Sequence, residues 1–589
     1  MNNAPPPDEL YRLRHSTAHL LAEAVGELFP GVKYAIGPPI EDGFYYDFDL
    51  ATPLKEEDFE RIEAKMKEIT KKNASFERVE MDRAEARAIC YAEGQPYKVQ
   101  LIDDLPEDEQ ITFYKQGEWT DLCRGPHVPR TGNLKHFKLL STAGAYWRGS
   151  EKNKMLTRVY GTAWKTREDL DAYLNRLEEA RARDHRKLGR ELGLFLFAPE
   201  QIGSGIPLFL PKGEMLRHTM ESYVREVQTR YGYSHVWTGH LVREDLYKLS
   251  GHYDNYKDAM FPPMQDTNDK GELTGINYRL KPMNCPSHMT LYNLSGLKSY
   301  RDLPLRYAEF ATLYRYEKTG ELSGLTRVRA LTQDDCHIFC TEDQIESEFS
   351  LALKLIREVL ERYGFSDYRV RLSLRDDNPE SKFVQDDEKW TKAESALRSS
   401  LIANNVEYFE AEGEAAFYGP KADFIARDAL GRDWQISTIQ VDFIQPSRLG
   451  CTYIDEEGKE RTPVVLHRAV TGTTERFLGV LIEQYAGAFP FWLAPVQIVL
   501  VPIADRHAEY ANEICERLKT AGFRAEVDAR NEKMNKRIRE NELQKIPVIL
   551  VMGDRDVEAG TASVRRRSEG DLGAKTIEEV LKYCRELMK

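Results

Sequence analysis

The 589-residue sequence has few cysteines, no long apolar run and no basic excess. Its eight cysteines are scattered without a Cys-x-x-Cys pair, which argues against a disulfide framework and favours a reducing compartment. No apolar stretch approaches the roughly 20 residues that a membrane span needs, so no membrane association is expected. Residues 1–16 lack both the basic and the apolar segment of a signal peptide. These absences predict a cytoplasmic protein.

The composition is that of an ordinary globular protein, with 41% hydrophobic and 30% charged residues. The length predicts three or four domains, because a single hydrophobic core does not grow to this size. The formal net charge is −13, yet residues 499–589 hold 18 Lys and Arg against 17 Asp and Glu. That C-terminal part also contains the run Arg565, Arg566, Arg567, which permits RNA binding without proving it.

Residues 305–340 form the most informative stretch. Aromatic and apolar residues predict a strand over 305–316, turn signals predict a loop over 317–325, and a second strand is expected over 326–339. Period-two alternation places Gln333, Asp335 and His337 on one face of that second strand. Polar groups on a strand otherwise suited to a core need either water or a ligand.

The loop of this hairpin is flanked by arginines. Arg315 and Glu317 stand at its start, and Arg327 and Arg329 at its end. Since guanidinium groups match phosphate oxygens, the hairpin is suited to hold a polyphosphate beside a small polar substrate. The alternative is an antiparallel hairpin whose charged side chains are simply solvated.

An amphipathic helix is predicted over residues 8–29. Its apolar side is expected to face the core, and His15 and His19 are expected on the opposite side, where they could also be part of a solvated polar face. Further along, Cys123 and His127 bracket Arg124-Gly125-Pro126. Two imidazoles with a Cys/His pair could form a zinc site, a thiol nucleophile site or a proton-transfer pocket.

The remaining segments indicate how the domains are connected. Residues 166–193 are highly charged and predict one solvated linker helix, and another helix is expected over 212–231. From about Trp492, apolar strands alternate with helices, which predicts an α/β domain with a largely parallel sheet.

Specific motifs link the sequence to a known family. The 305–340 hairpin resembles motif 2 of the class II aminoacyl-tRNA synthetases. TRVRALTQDDCHIF (326–339), KPMNCPSH (281–288) and VLHRAVTGTTERF (465–477) resemble the threonyl-tRNA synthetase family. HSTAH (15–19) with CRGPH (123–127) resembles the editing domain of threonyl- and alanyl-type enzymes.

The resemblance covers nearly the whole chain and implies a multidomain α+β and α/β fold. The expected parts are an editing domain (1–165), a linker helix (166–193), a class II catalytic domain built on an antiparallel sheet (194–491) and an α/β anticodon-binding domain (492–589). The stretch ending in Pro211 and its helix resembles motif 1, which implies a homodimer. Many bacterial members begin with an extra ubiquitin-like (TGS) domain, whereas this sequence starts directly at the editing domain.

The activity implied by the resemblance is that of a threonine–tRNA ligase. Such an enzyme activates threonine with ATP and Mg²⁺, transfers it to tRNA(Thr) and hydrolyses mischarged seryl-tRNA(Thr). The family holds one zinc ion per chain with one Cys and two His, here Cys285, His337 and His467, although their wide spacing alone would not predict a metal site.

The resemblance also assigns roles by position. Catalytic roles fall to Arg315, Arg327, Lys421 and Arg476. Substrate and ATP contacts fall to Glu317, Gln333, Asp335, Tyr418, Gln435, Thr438 and Gln440, with Asp442 also lining the site. Editing, by a water activated by His and Lys rather than by a metal, falls to His15, His19, Lys98, Asp121, Cys123 and His127. Anticodon contacts fall to Asn531, Glu532, Asp556 and Arg565.

The editing site is needed because the activation site cannot fully exclude serine. Serine keeps the hydroxyl of threonine and lacks only a methyl group, a difference worth roughly 1–3 kcal/mol. Because this difference is too small for accurate selection of threonine, a separate site that hydrolyses the serine product is needed. Small departures from the family pattern are Ser287, the Gly472-Thr473 pair, Ala330 within TRVRAL, and Asp556 where Glu is common. The alternatives are a prolyl-type class II synthetase and a synthetase paralogue that no longer charges tRNA.

Overall fold

The structure is a computed structural model that describes residues 8–376, 378 and 382–589. The chain divides into two compact units, one ending at Glu178 and the other running from Glu179 to Lys589. Within the described residues, no helix combines the length and the apolar character that crossing a membrane requires.

The α-helices are interspersed with strands through the described residues. Their bounds are α1 (Glu9–Leu28), α2 (Phe59–Lys72), α3 (Arg83–Ala92), α4 (Pro96–Asp104), α5 (Arg167–Arg183), α6 (His185–Glu191), α7 (Pro211–Arg230), α8 (Glu244–Ser250), α9 (His252–Tyr256), α10 (Cys285–Leu294), α11 (Ile345–Arg362), α12 (Asp387–Ala403), α13 (Gln445–Arg448), α14 (Thr474–Gln484), α15 (Ala508–Thr520), α16 (Met534–Leu543), α17 (Asp554–Ala559) and α18 (Ile577–Leu587).

The strands of the first unit are β1 (Lys33–Tyr34), β2 (Pro39–Ile40), β3 (Gly43–Asp49), β4 (Phe76–Met81), β5 (Ile111–Gln116), β6 (Trp119–Leu122), β7 (His136–Tyr146) and β8 (Met155–Trp164). Those of the second are β9 (Phe195–Phe197), β10 (Pro207–Phe209), β11 (Ser234–His235), β12 (Leu241–Arg243), β13 (Met264–Thr267), β14 (Leu273–Leu280), β15 (Leu305–Tyr314), β16 (Ala330–Cys340), β17 (Tyr368–Ser373), β18 (Tyr408–Ala411), β19 (Lys421–Arg427), β20 (Asp433–Asp442), β21 (Tyr453–Ile454), β22 (Glu460–Arg461), β23 (Val464–Ala469), β24 (Ile498–Pro502), β25 (Ala525–Val527), β26 (Val548–Met552), β27 (Thr561–Arg566) and β28 (Gly570–Thr576).

The first unit is built around α1, and the helix predicted there is confirmed. The Asp8 carboxylate caps it by accepting a hydrogen bond from the Tyr11 N–H at 2.7 Å. One side of α1 packs on α2 and on the antiparallel sheet ordered β1-β3-β8-β7. Its other side meets the antiparallel sheet β4-β5-β6, where the His19 ring lies 5.5 Å from that of Trp119.

This arrangement decides whether the two histidines of α1 are solvated or buried. His15 and His19 do lie opposite the apolar stripe, but that face is buried, and the His19 side chain is only 3% exposed. The possibility of a solvated polar face is therefore wrong. The sequence of α1 alone could not reveal this burial, because the sheet that covers the histidines includes residues about 100 positions later.

The predicted linker helix is two helices. α5 ends at Arg183, and the Asp184 carboxylate caps α6 by accepting a hydrogen bond from the Arg186 N–H at 2.8 Å. His185 and Leu188 of α6 are buried. The expectation of one continuous solvated helix over 166–193 is therefore wrong, since an aspartate in the middle of the run begins a new helix.

A sheet that has eight strands within the described residues forms the centre of the second unit, in the order β11-β15-β16-β23-β20-β19-β17-β18. Its inner pairs are antiparallel, as the class II fold predicts. α7 and α11 pack their apolar sides on one face of the sheet with Cys336 and Ile338 of β16. The opposite face carries the polar side chains described below.

The motif 2 hairpin has shorter strands than expected. β15 ends at Tyr314 and β16 begins at Ala330, so the loop includes Arg315, Arg327 and Arg329 instead of being flanked by them. The loop is held by backbone hydrogen bonds at its base, where the Arg315 N–H donates to the Arg329 carbonyl oxygen at 2.8 Å.

The C-terminal sheet has the order β25-β24-β26-β27-β28. The fully buried strand β24 pairs in parallel with β25 on one side and with the equally buried β26 on the other, as predicted. β26–β27 and β27–β28 are antiparallel, so the sheet is mixed and not largely parallel. The difference arises because residues 567–569 turn the chain directly back into β28, a strand that the sequence pattern did not predict.

Candidate active site

Strand register brings the predicted site residues into one row. Across the sheet, Tyr307 of β15 is opposite His337 of β16, and His337 is opposite His467 of β23. The row continues through Gln440 of β20 to Lys421 of β19. Residues directly opposite each other point to the same face, so five strands contribute side chains to one surface.

His467 and Gln440 of this row line a pocket of about 240 Å³ and form part of its floor. α10, β16, β20, β23 and α14 supply most of its walls. Of the residues predicted to form the site, the lining includes Cys285, Arg315, Gln333, Asp335, Tyr418, Gln435, Thr438, Gln440, His467 and Arg476. His337 lies beneath this floor with no exposed surface, and Glu317, Arg327 and Lys421 lie outside the lining.

Cys285, His337 and His467 meet at one end of the pocket. Their ligand atoms all lie within 4.8 Å of one another, although the residues are far apart in sequence. His337 Nε2 is buried and has no hydrogen-bond partner among the described residues. A thiol and two imidazoles are ligands that zinc prefers, and an orphaned buried nitrogen is explained by a bound metal. The donor set therefore fits zinc.

Hydrogen bonds hold the two histidines in orientation. His337 Nδ1 lies 2.9 Å from His288 Nδ1, and His288 Nε2 lies 3.0 Å from Glu309 Oε2. His467 Nε2 lies 2.9 Å from Asp442 Oδ2, which leaves its Nδ1 for a ligand. Carboxylates and imidazoles behind the ligands are the usual support of a metal site.

Two of these supporting residues were missed from the sequence. His288 is in the quoted motif KPMNCPSH, one helical turn after Cys285, and Glu309 is directly opposite Asp335 in the β15–β16 pair. The helical spacing from Cys285 could have indicated His288, and the strand pairing could have indicated Glu309. Their supporting role depends on the packing of α10 against the sheet, which the sequence pattern does not show.

Burial shifts the titration of the cluster in the absence of metal. It raises the pKa of the Cys285 thiol well above its ordinary value and lowers the pKa of His337 well below its own. The imidazole of His337 is thus neutral, which is the form that binds a metal ion.

Positive charge gathers at the other end of the pocket. Arg315 donates to the weak acceptor Met283 Sδ at 3.8 Å, and Arg476 donates through Nε to the Thr326 carbonyl oxygen at 3.2 Å. Burial lowers the pKa of both arginines, and their proximity lowers that of Arg476 further. Neighbouring guanidinium groups without strong acceptors are suited to bind phosphates.

Arg327 is engaged elsewhere. Its Nη2 lies 2.8 Å from Glu317 Oε2 and 3.3 Å from Glu321 Oε2, inside the motif 2 loop. The structure therefore places Arg327 and Glu317 together as an ion pair at the edge of the arginine cluster. Their assignment to the ATP site stays a prediction, which rests on their position in the motif 2 loop.

Asp423 organises the central wall of the pocket. It accepts hydrogen bonds from Thr438 Oγ1 at 2.9 Å and Gln435 Nε2 at 2.7 Å, and it pairs with Lys421 Nζ at 2.9 Å. Its three partners were predicted from the sequence and Asp423 was not, although period-two alternation puts it on the same face as Lys421. Beside this group, Tyr418 donates its phenol proton to Gln440 Oε1 at 2.6 Å.

A second cluster of charged and histidine side chains lies in the first unit. Cys123 Sγ is 3.3 Å from His15 Nε2 and 3.2 Å from His127 Nε2, and the His19 ring lies 4.4 Å from that of His127. The predicted quartet is therefore one cluster. It lies at a cavity of about 420 Å³ lined by His15, His19, Lys98, Asp121 and Cys123, while His127 lines a neighbouring cavity of about 750 Å³.

Lys98 and Asp121 form a buried ion pair in the same cavity. Lys98 Nζ lies 2.6 Å from Asp121 Oδ1, and both side chains are 5% exposed. Tyr46, which was not predicted from the sequence, bridges the pair by donating to Asp121 Oδ2 at 2.6 Å and accepting from Lys98 Nζ at 3.1 Å. The pair holds an ammonium group beside the histidines.

Burial sets the chemistry of this cluster. It lowers the pKa of His15 to about 4 and that of His127 to about 2, and it raises the pKa of the Cys123 thiol to about 12. At neutral pH the imidazoles are therefore free bases and the thiol is protonated. This state suits proton transfer and disfavours attack by a thiolate.

The predicted anticodon residues are spread over a connecting segment, a helix and a strand of the C-terminal part of the chain. Asn531 and Glu532 are exposed in the segment between β25 and α16. Arg565 lies near Glu542 at the other end of α16, about 15 Å of helix rise away. Asp556 accepts hydrogen bonds from the Gly553 N–H and from Thr561 Oγ1.

The arginine run at 565–567 is not a free basic patch. Arg567 donates to the carbonyl oxygens of Ala488 and Phe489 at 2.8 and 2.6 Å, and Arg566 lies 2.7 Å from Glu569. The run is thus largely used inside the protein.

Comparison with known families agrees with this architecture. Residues 270–485 match the tRNA synthetase class II core domain (G, H, P, S and T), and residues 497–587 match an anticodon binding domain. Residues 111–160 match the threonyl and alanyl tRNA synthetase second additional domain. With the antiparallel sheet and its motif residues, these matches define a class II aminoacyl-tRNA synthetase, and the predicted fold class is confirmed.

Curated relatives narrow the assignment. The threonine–tRNA ligase of Rubrobacter xylanophilus is 65% identical over 568 residues, covering 96% of this chain and 87% of the relative. That of Halalkalibacterium halodurans is 50% identical over 590 residues, covering 99% and 90%. The chain belongs to the threonine–tRNA ligase family.

A solved structure supports the same assignment. The RNA binding domain of threonyl-tRNA synthetase from Cryptosporidium parvum aligns with a TM-score of 0.64 at 35% identity, covering 69% of this chain and 98% of that chain.

Proposed function

We propose that this protein activates L-threonine with ATP, transfers it to tRNA(Thr) and hydrolyses seryl-tRNA(Thr) at a separate site. The observation that carries the proposal is the pocket that joins the Cys285/His337/His467 cluster to Arg315 and Arg476. One end offers ligands for a metal that binds a small polar amino acid, and the other offers cations for phosphates.

Threonine would lie at the end of the pocket near Cys285. A zinc ion bound by Cys285, His337 and His467 would act as a Lewis acid toward the threonine amino and hydroxyl groups. Asp335 is buried beside this cluster, and its carboxylate and the Gln333 amide orient the amino acid. Burial raises the pKa of Asp335, which a nearby ammonium group would reverse.

ATP would be bound as its Mg²⁺ complex at the arginine end. Arg315 contacts the α-phosphate, and Arg476 contacts the γ-phosphate. The threonine carboxylate attacks the α-phosphorus, the bond to the bridging oxygen breaks, and pyrophosphate leaves with both of its electrons. The guanidinium groups stabilise the charge that develops on the phosphate oxygens, and the shared pocket holds the reactants in line.

Recognition of the threonine hydroxyl sets the selectivity. A site that binds a hydroxyl rejects an analogue without it, here valine, by about 10⁴- to 10⁵-fold. It rejects serine by only about 10- to 200-fold, because serine lacks a methyl group alone. The cluster of the first unit, with neutral His15 and His19 as bases and Lys98 beside them, supplies the hydrolysis that corrects this error.

The remaining parts fit a tRNA-charging enzyme. Asn531, Glu532, Asp556 and Arg565 are proposed to read the anticodon from the C-terminal domain. A homodimer is proposed through α7, whose exposed side borders a groove of about 710 Å³. All eight cysteines are free thiols, which supports a cytoplasmic location.

The alternatives are less well supported. The prolyl alternative does not explain why a thiol and two imidazoles converge in this pocket. The non-charging alternative does not explain why Arg315 and Arg476 both line the end proposed to bind phosphates. The test is charging of a tRNA(Thr) transcript with threonine. Charging of tRNA(Pro) with proline would support the prolyl alternative, and no charging with any amino acid would support the paralogue.

A further inference from the structure

His185, at the start of α6, is fixed by a carboxylate on α14. Its Nδ1 lies 2.6 Å from Glu483 Oε1, and its backbone N–H donates to the same oxygen at 3.1 Å. On the other side of the ring, Nε2 accepts a hydrogen bond from the Leu325 backbone N–H at 3.0 Å. Because the peptide N–H can only donate, Nε2 carries no proton, and the proton is on Nδ1 facing the carboxylate. The neighbours therefore select one neutral tautomer.

The segment that His185 contacts is the far end of the motif 2 loop. Gly324 packs so closely that a Cβ there would lie 2.2 Å from His185 Nε2, and its φ is +47°. Leu325 has no exposed surface. The next carbonyl oxygen, that of Thr326, accepts the hydrogen bond from Arg476 Nε. The loop end is thus clamped between the imidazole and the proposed γ-phosphate arginine.

The clamp is anchored to the helix that carries this arginine. α14 contains both Arg476 and Glu483, two helical turns apart. Glu483 is itself held, since Arg432 pairs with its second carboxylate oxygen and Arg183 donates to its carbonyl oxygen at 3.3 Å. His185 therefore ties the loop to α14 through groups that are already fixed.

We propose that His185 is a positioning residue for ATP. It keeps residues 324–326 against α14, so that the motif 2 loop and Arg476 meet the nucleotide in one arrangement. It does not touch the substrate. The inference rests on the proposed function, because it takes the pocket to be the ATP site.

The test compares His185→Asn with His185→Gln in the full-length protein. A glutamine amide reaches the position of Nε2 and can still accept from Leu325, whereas an asparagine amide reaches only the position of Nδ1. Losing the one hydrogen bond is expected to raise KM for ATP about three- to tenfold in His185→Asn. His185→Gln is expected to stay near the wild type, and KM for threonine is expected to be unchanged in both.

The readout is ATP–pyrophosphate exchange with threonine, with folding checked by circular dichroism. An equal KM for ATP in wild type and His185→Asn would overturn the proposal. A parallel rise in KM for both ATP and threonine together with a fall in kcat would also overturn it, because that result indicates a merely structural role. If His185→Asn does not fold, Gly324→Ala replaces it, because its Cβ pushes the loop from the imidazole. An unchanged KM for ATP in that variant would also contradict the proposal. Wild-type protein without threonine-dependent exchange would instead refute the proposed function.

Discussion

Removing the thiol of the proposed metal cluster by Cys285→Ala should abolish both zinc binding and threonine activation. Cys285 Sγ and the imidazoles of His337 and His467 converge within 4.8 Å, and two imidazoles alone hold zinc poorly. Without the metal, threonine would lose the contact proposed for its hydroxyl group. Its kcat/KM should then fall to the level of valine, about 10⁴- to 10⁵-fold, or about 5 to 7 kcal/mol of transition-state stabilisation.

The assay is ATP–pyrophosphate exchange with threonine, with zinc measured by elemental analysis on the same sample. Cys451→Ala is the matched control, because Cys451 is also a buried free thiol but lies outside the pocket lining. It should cost stability, about 1 kcal/mol, and leave zinc and activity intact. A Cys285→Ala protein that is free of metal and still activates threonine would refute the reasoning.

Three further predictions concern the other clusters. Replacing His15 and His19 together by Ala should leave threonylation intact while seryl-tRNA(Thr) accumulates; an undetectable misacylated product would exclude this cluster as the editing site. Because burial lowers the pKa of His15 to about 4, the imidazole stays a free base through neutral pH. Hydrolysis of preformed seryl-tRNA(Thr) by the wild type should therefore be constant from pH 8 to about 5 and fall only as the pH drops through about 4; a decline centred near pH 6.5 would show a solvated histidine. Asp334 lies in the sheet with no exposed surface, 3.5 Å from Arg468. Asp334→Ala leaves that arginine buried without its partner and should lower the free energy of unfolding by about 3 to 5 kcal/mol in a urea titration; a loss below 1 kcal/mol would contradict this.

Local patterns predicted which side chains share the polar face of β16. Alternation along β16 correctly grouped Gln333, Asp335 and His337, because both neighbours of this strand are sheet strands that preserve the period of two. The strand ends were less predictable. The alternation at Thr326 to Arg329 predicted that the second strand begins at residue 326, whereas β16 begins at Ala330. The chain just before it, residues 324–326, packs against His185 and α14 instead of pairing with β15.

Contacts between distant segments set the limit of prediction. The buried position of His15 and His19 depends on a sheet formed by residues near 120, and the support of His337 depends on His288 of α10. The arginines at 565–567 have the composition of a basic patch, but Arg567 is held by backbone carbonyl oxygens of residues 488 and 489. In each case the sequence names the residue type, and the partner that decides its role comes from elsewhere in the chain.

The most direct test of the account is ATP–pyrophosphate exchange across threonine, serine, valine and proline, with zinc content measured on the same sample. The account predicts strong exchange with threonine, weaker exchange with serine, none with valine or proline, and about one zinc per chain. Exchange with valine comparable to that with threonine, or full threonine activity in zinc-free protein, would contradict the proposed recognition of the hydroxyl group.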